Sequence, residues 1–319
     1  MEFVIPEAMQ KEHAELHTDL AGATQVPGKI GEAAQAVAKT LHEHFEREEE
    51  FALPPLGSGE QGELMNQFVV TPAAGKRVIA QATATLPRVQ AALASGTVVI
   101  VAGTTNGYVA EEILKNLGQS AGFDRSRFFR GITMPPGRPT TETGRLPDES
   151  QFPGDVVIVS GEWRRGMTIF DIADDLKEGD VILKGANAVD LSSGRAAILI
   201  GHPKGGTAAI AMQAVVGRRV RLVLPVGLEK RVTGDLDQLA AILNVPGARG
   251  PRLFPVPGEI ITEIEALSVL TGVTANLVAG GGVCGAEGSV WLAISGSPEQ
   301  EEAAQRILKQ VAGESPFLI

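Results

Sequence analysis

Five segments of the chain are unbroken apolar runs of strand length: TVVIVAG at 97–103, DVVIVSG at 155–161, GDVILKG at 179–185, AAILIG at 196–201 and VRLVLPVG at 220–227. A strand with one face in water alternates apolar and polar residues, so runs without alternation mean strands covered on both faces. Helix-like stretches separate these runs, and that spacing predicts a parallel sheet with helices packed on both sides. Near the C-terminus, VTANLVAGGGV and SVWLAISGS flank CGAEG, and a polar helix is expected from Pro298 to about Val311. That order fits either a return to the sheet or a small α+β lobe.

The first sixty residues have a different character. From Ile30 to Glu48 the helical stripe Ile30, Ala34, Val37, Leu41 continues through His44 and Glu48. Side chains three and four apart share a helical face, so an imidazole and a carboxylate fall on the surface that should pack. The preceding segment repeats the pattern: Met9, Leu16 and Leu20 share their stripe with His13, and His17 lies beside it. An unpaired buried carboxylate is costly, and a metal ion is the simplest partner for several imidazoles and an acid. The competing reading is an ordinary hydrogen-bonded core histidine. His42 lies off the stripe and is expected to face solvent.

The hairpin closes at Pro54-Pro55, and GSGEQG at 57–62 is small, polar and flexible. The expected organisation is therefore a helical hairpin over 1–57, a linker over 58–68, and an α/β domain over 69–319. The predicted fold class is α/β, with an N-terminal α-helical hairpin followed by an open, mostly parallel sheet with helices on both faces and a smaller α+β lobe. Between Phe123 and Phe152 the chain is rich in Pro, Gly, Arg and Thr, which predicts a long surface connection, either a functional lid or a disordered loop.

Charge and cysteine content narrow the function classes. A net charge of -10 opposes general affinity for nucleic acid or an anionic membrane. The single cysteine, Cys284, excludes an internal disulfide framework, and the start MEFVIPEAMQKEH lacks a secretory pattern. No apolar run approaches the length of a bilayer span. A cytoplasmic protein is expected.

Three segments of the larger domain have the chemistry of an anion site. In AGTTNGYVAEEIL at 102–114 a strand runs through Gly103, Thr104, Thr105 and Asn106 into a helix, whose free N–H groups suit phosphate or carboxylate. The same threonines and asparagine also serve as simple helix caps. In GHPKGGTAAIAMQ at 201–213, Lys204 precedes Gly205, Gly206 and a second helix start, with His202 nearby. In KGANAVD at 184–190, Lys184, Asn187 and Asp190 follow a buried strand, where open α/β sheets place their ligands. Glu287 lies in the glycine-dense GGGVCGAEG, as a candidate nucleophile or base or as an incidental acid in a tight turn.

Two resemblances follow from these residues. Helix-borne His13 together with LHEHFEREEEFALPPL at 41–56 resembles half of the hemerythrin-like cation-binding unit. That resemblance implies metal ligation by His13, His44 and Glu48, with His17 nearby and Glu49 in place of a more distant carboxylate. Half a bundle is an incomplete site, so it further implies a homodimer through the hairpin, with iron as a pair shared across it, or zinc as the alternative metal.

The larger domain resembles the A-type ribose-5-phosphate isomerases, of the sugar isomerase and CoA transferase superfamily, through TVVIVAGTTNGY, KGANAVD, LIGHPKGGTAAIAMQ, LVLPVGLEKRV and FPVPGEIITEIEAL in that order. It implies that Thr104, Thr105 and Asn106 lie on a phosphate loop and that Lys204 and Lys230 lie near a small anionic metabolite such as a sugar phosphate. The catalytic acids differ, because Lys184 and Asn187 stand where the family has aspartates and Gln213 stands where it has its base. An amide does not exchange a proton at useful pKa, so isomerase activity is expected to be absent. The alternative is an enzyme of divergent chemistry, isomerase or acyl transferase, working through Asp190 or Glu287.

Overall fold

The computed structural model describes residues 24, 25, 27–47, 66–131, 133–135, 137–139 and 141–317. The chain divides into two units, Met1–Met65 and Asn66–Ile319. In the first unit a single long helix is described, α1 (Lys29–Arg47). Of the apolar stripe expected on it, Ile30 is 70% and Val37 50% exposed, and Ala34 is half-buried. Gly31 is buried and Ala38 half-buried.

In the second unit the five apolar runs all form strands. A six-stranded sheet contains β2 (Thr97–Ile100), β3 (Val156–Val159), β4 (Glu162–Trp163), β5 (Val181–Leu183), β8 (Arg221–Pro225) and β10 (Glu259–Ile261), in the order β10-β8-β5-β2-β3-β4. The pairs β10/β8, β8/β5 and β5/β2 are parallel, and β2/β3 and β3/β4 are antiparallel. The sheet is thus mixed and mostly parallel, and β3 reverses the direction expected for it. The AAILIG run also departs from expectation: as β7 (Arg195–Ile200) it joins a separate antiparallel sheet, β6-β7-β9, with β6 (Ala188–Asp190) and β9 (Arg252–Val256).

Burial explains why the central runs lack alternation. Val98, Ile100, Leu183, Val223 and Ile158 face one core, while Val99, Val101, Ile182, Leu224 and Val157 face the other. Successive side chains of each strand therefore enter opposite layers, and both layers are apolar. The first layer holds α2 (Pro72–Thr85), α3 (Pro87–Ser95), α4 (Thr104–Asn116), α8 (Glu263–Thr271) and α9 (Pro298–Val311). Helices α5 (Ile169–Ile172) and α6 (Gly206–Arg218) form the second. A small cluster packs α7 (Leu236–Leu243) on the β6-β7-β9 sheet.

The C-terminal segments stay out of the six-stranded sheet, and their apolar residues, Ala275, Leu292 and Ile294 among them, join the core on its first face. β1 (Asn66–Val70), β11 (Thr274–Gly280) and β12 (Val290–Ser295) form a three-stranded antiparallel sheet with β12 in the centre. Asn66, Gln67 and Phe68, assigned above to the linker, are therefore strand residues, held by pairing with β12. Among the described residues no helix is long and apolar enough to cross a membrane.

Candidate functional site

The parallel strands β2, β5, β8 and β10 end on one edge of the sheet. The chain leaves β2 toward β3 and β4 but leaves β5 toward β8 and β10, so the strand order reverses between β2 and β5. Such a switch point opens a crevice in α/β sheets. Helices α2, α4, α6 and α8 all begin there. Two of them are capped by their own side chains: Thr71 accepts the Ala74 N–H at the start of α2, and Thr262 forms a capping box with Glu265 at α8. The other two begin at Gly103 and Gly205, which have no side chain to offer, and neither start has a side-chain cap. The first amides of α4 and α6 thus keep the partial positive charge that favours an anion.

Asn106 fixes the floor of the crevice. Its Nδ2 donates to the Val101 carbonyl (2.7 Å) and the Leu183 carbonyl (2.9 Å), tying the ends of β2 and β5 together. Lys184 rises from the end of β5 with only 9% of its surface exposed, and its Nζ donates to Thr207 Oγ1 in the first turn of α6 (3.1 Å). Burial lowers its pKa to about 8, against the opposing pull of Asp155. An ammonium has three donors, and among the described residues one hydroxyl is the hydrogen-bond partner of this one. Asp155 is fully occupied: it accepts the N–H groups of Ala102 (2.9 Å) and Ile169 (2.8 Å) and pairs with Arg130 (3.0 Å).

Beside this crevice, at the ends of β8 and β10, lies a second charged group. Lys76 Nζ donates to Glu229 Oε1 (2.8 Å), and Lys230 Nζ reaches toward Thr105 Oγ1 (3.4 Å). Glu263, 2% exposed, accepts the Leu228 N–H (2.9 Å). Its carboxylate lies so close to Gly75 that a Cβ there would meet Oε1 at 2.2 Å, so α2 needs glycine at this position. Burial, reinforced by the charge of Glu229, pushes Glu263 up to about 7. Burial likewise lowers the Lys230 pKa. Burial works to raise the Glu229 pKa, but the attraction of Lys76 and Lys230 outweighs it, so Glu229 is held below the usual range.

The residues singled out from sequence fall into distinct groups. Gly103, Thr104, Thr105, Asn106, Lys184, Gly205, Gly206 and Lys230 come together at the crevice edge. Lys204 follows the same loop but is exposed, its N–H bound to His202 Nδ1 (3.1 Å). Asn187 is exposed, and its Oδ1 accepts the Leu199 N–H, which fastens the β6-β7 hairpin. Asp190 closes the same hairpin by accepting from the Ser192 N–H (3.0 Å), Ser192 Oγ (2.7 Å) and Ser193 Oγ (2.5 Å), and these donors lower its pKa. Gln213 is exposed on α6, six residues and about 9 Å beyond Thr207 by helical rise. Glu287 and Cys284 are exposed on the β11-β12 turn, and Cys284 has φ of 55°.

Several residues of this region carried little signal in the sequence. Arg130 and Asp155 bracket the long connection, and Lys76 and Glu263 sit inside helix patterns where a charge reads as a solvated face. Their meeting depends on long-range packing.

His13, His17, Glu48 and Glu49 lie outside the described residues, as does the side chain of His44. Among the described residues no group of three or more His, Cys, Asp and Glu stands together as a metal site would need. Compared with protein-family models, curated proteins and solved structures, the chain matches none.

Proposed function

We propose that the Asn66–Ile319 unit binds a small anionic metabolite, of the sugar phosphate class, in the crevice between β2 and β5. The observation that carries this reading is Lys184: a cation nine-tenths buried, with one hydroxyl partner, beside two helix starts that lack side-chain caps. An anion there would complete the hydrogen bonds of the ammonium and offset its desolvation. Turnover by an isomerase route is not part of the proposal. The carboxylate that acts on Lys184, Asp155, is taken up by two amides and Arg130, and the position of the expected base holds an exposed amide, Gln213. The alternative, catalysis by Asp190 or Glu287, has less support, since the first is engaged in a hairpin turn and the second is exposed on the β11-β12 turn.

For the first unit the proposal is hemerythrin-like metal binding through His13, His17, His44, Glu48 and Glu49, completed by a second copy of the chain, with iron the expected metal. The two proposals together describe a protein that senses metal or redox state at one unit and binds a metabolite at the other.

Titration of the full chain with sodium sulfate and with ribose 5-phosphate tests the crevice. A ligand present at one hundred times its dissociation constant stabilises the folded state by about 2.7 kcal/mol, which a thermal melt detects. The expected result is stabilisation by both anions, lost in Lys184→Met. Equal melting of the two proteins with and without either anion would overturn the reading, and so would conversion of ribose 5-phosphate to its ketose isomer. For the metal, elemental analysis of His44→Ala/Glu48→Ala is expected to show loss of bound iron.

A further inference from the structure

The long connection between α4 and β3 is tied at a neck. The Gly131 N–H donates to the Gly144 carbonyl (2.5 Å), and the Thr141 N–H donates to the Arg145 carbonyl (2.9 Å). Gly144 has φ of +74°, and a Cβ on it would meet the Gly131 carbonyl oxygen at 3.0 Å, so the neck closes only with glycine there. Closing it sets Arg130 and Arg145 side by side. Both guanidiniums lie over the ring of Phe152, at 5.1 Å and 3.9 Å from its centre.

Two like charges held together and mostly out of water need counter-charge. Burial and the neighbouring Arg130 both lower the Arg145 pKa. The carboxylates at hand are few: Asp155 already serves Arg130 and lies close enough to act on Lys184, and Glu149 stands 3.5 Å from Arg145. Among the described residues, three cations, Arg130, Arg145 and Lys184, thus share two acids, Asp155 and Glu149. Among the described residues, the Nε atoms of both arginines are buried without a hydrogen-bond partner. Buried polar groups are rarely left so, and the planar fork of arginine matches carboxylate and phosphate. Asp155 also accepts the N–H of Ala102, two residues before Thr104, so the arginine pair and the start of α4 lie within the span of one small molecule.

We infer that the arginine pair receives a second anionic group, phosphate or carboxylate, of the same ligand whose first anion sits at Lys184. The ligand class is then a sugar bisphosphate or a phosphorylated sugar acid. This inference rests on the anion reading of the crevice proposed above, and the connection between α4 and β3 becomes the element that selects the ligand.

Isothermal titration of the full chain with four probes separates the two claims: sulfate, fructose 6-phosphate, fructose 1,6-bisphosphate and 6-phosphogluconate. At least one of the doubly anionic sugars is expected to bind ten-fold or more tightly than fructose 6-phosphate. A preference for the bisphosphate assigns phosphate to the arginine pair, and one for the gluconate assigns carboxylate. In Arg145→Gln the ratio is expected to collapse toward one. Arg145→Lys keeps the charge but not the fork, and it serves as the second variant with a several-fold loss expected. A ratio near one in the native chain, or a ratio unchanged in both variants, overturns the second anion while leaving the first. Failure of sulfate and fructose 6-phosphate to bind at all overturns the crevice reading and this inference with it.

Discussion

Lys184 and Glu263 sit at the same edge of the sheet and respond to pH in opposite directions. The Lys184 pKa falls to about 8 on folding from an ordinary 10.5. Its contribution is therefore favourable only above the unfolded value and is lost as pH falls through about 8, so near neutrality the folded chain carries a buried charge. Lys184→Met is expected to raise stability at pH 7 by roughly 1–3 kcal/mol while removing sulfate binding, and a lower melting temperature for the variant would contradict this. Glu263 moves the other way, up to about 7 from 4.5. Its stabilising effect is complete below the unfolded value and is lost as pH rises through the folded one. Glu263→Gln is then expected to exceed the native protein in stability by about 2 kcal/mol at pH 8.5, with the gap closing by pH 5. Denaturant titrations at both pH values check the sign. The position of Lys184 was legible, because it ends a buried strand. That of Glu263 was not, because an acid in the first turn of a helix ordinarily faces solvent.

At the scale of elements, the segment after α9 joins parts far apart in sequence. Glu314 accepts from Arg77 Nε of α2 (2.9 Å) and from Arg125 Nη1 (3.1 Å), and both guanidiniums lie against the ring of Tyr108 in α4. The Tyr108 hydroxyl donates to the Ser315 carbonyl (3.2 Å), and Phe317 meets Phe129 edge to face at 5.9 Å. Phe129 precedes Arg130, so the tail braces the beginning of the connection that carries the arginine pair. Glu314→Ala leaves two largely buried guanidiniums short of a counter-charge, and a loss of about 2 kcal/mol is expected. For a unit of this size that corresponds to a fall in Tm of roughly 4–8 °C. A change under 1 °C by calorimetry would show that the tail contributes little. None of this could be read from the sequence, since Arg77 and Glu314 are separated by most of the unit.

At the scale of the whole chain, the hydrophobic clusters described all begin at or after Phe68. A fragment starting at Asn66 therefore retains every one of them, and β1 keeps its pairing with β12. Such a fragment is expected to unfold in one cooperative transition and to bind sulfate as the full chain does, while bound metal stays with residues 1–65. A fragment without a cooperative transition would show that the larger unit depends on the smaller.

Which segments are buried strands was legible from the sequence alone, because runs this short and rich in Val and Ile read as strands, and a strand apolar at every position has to be sheltered on both faces. The sequence also set glycine at the starts of α4 and α6, which denies those helices a side-chain cap. Tertiary structure decided the partners. The direction of β3 and the transfer of β7 to a second sheet follow from pairing between distant residues, and an unbroken apolar run contains no information about which neighbour it will meet. The same holds for the charges around Asp155. Arg130, Arg145 and Lys184 become one group only when the neck at Gly131 and Gly144 closes and the ends of β2 and β5 are drawn together.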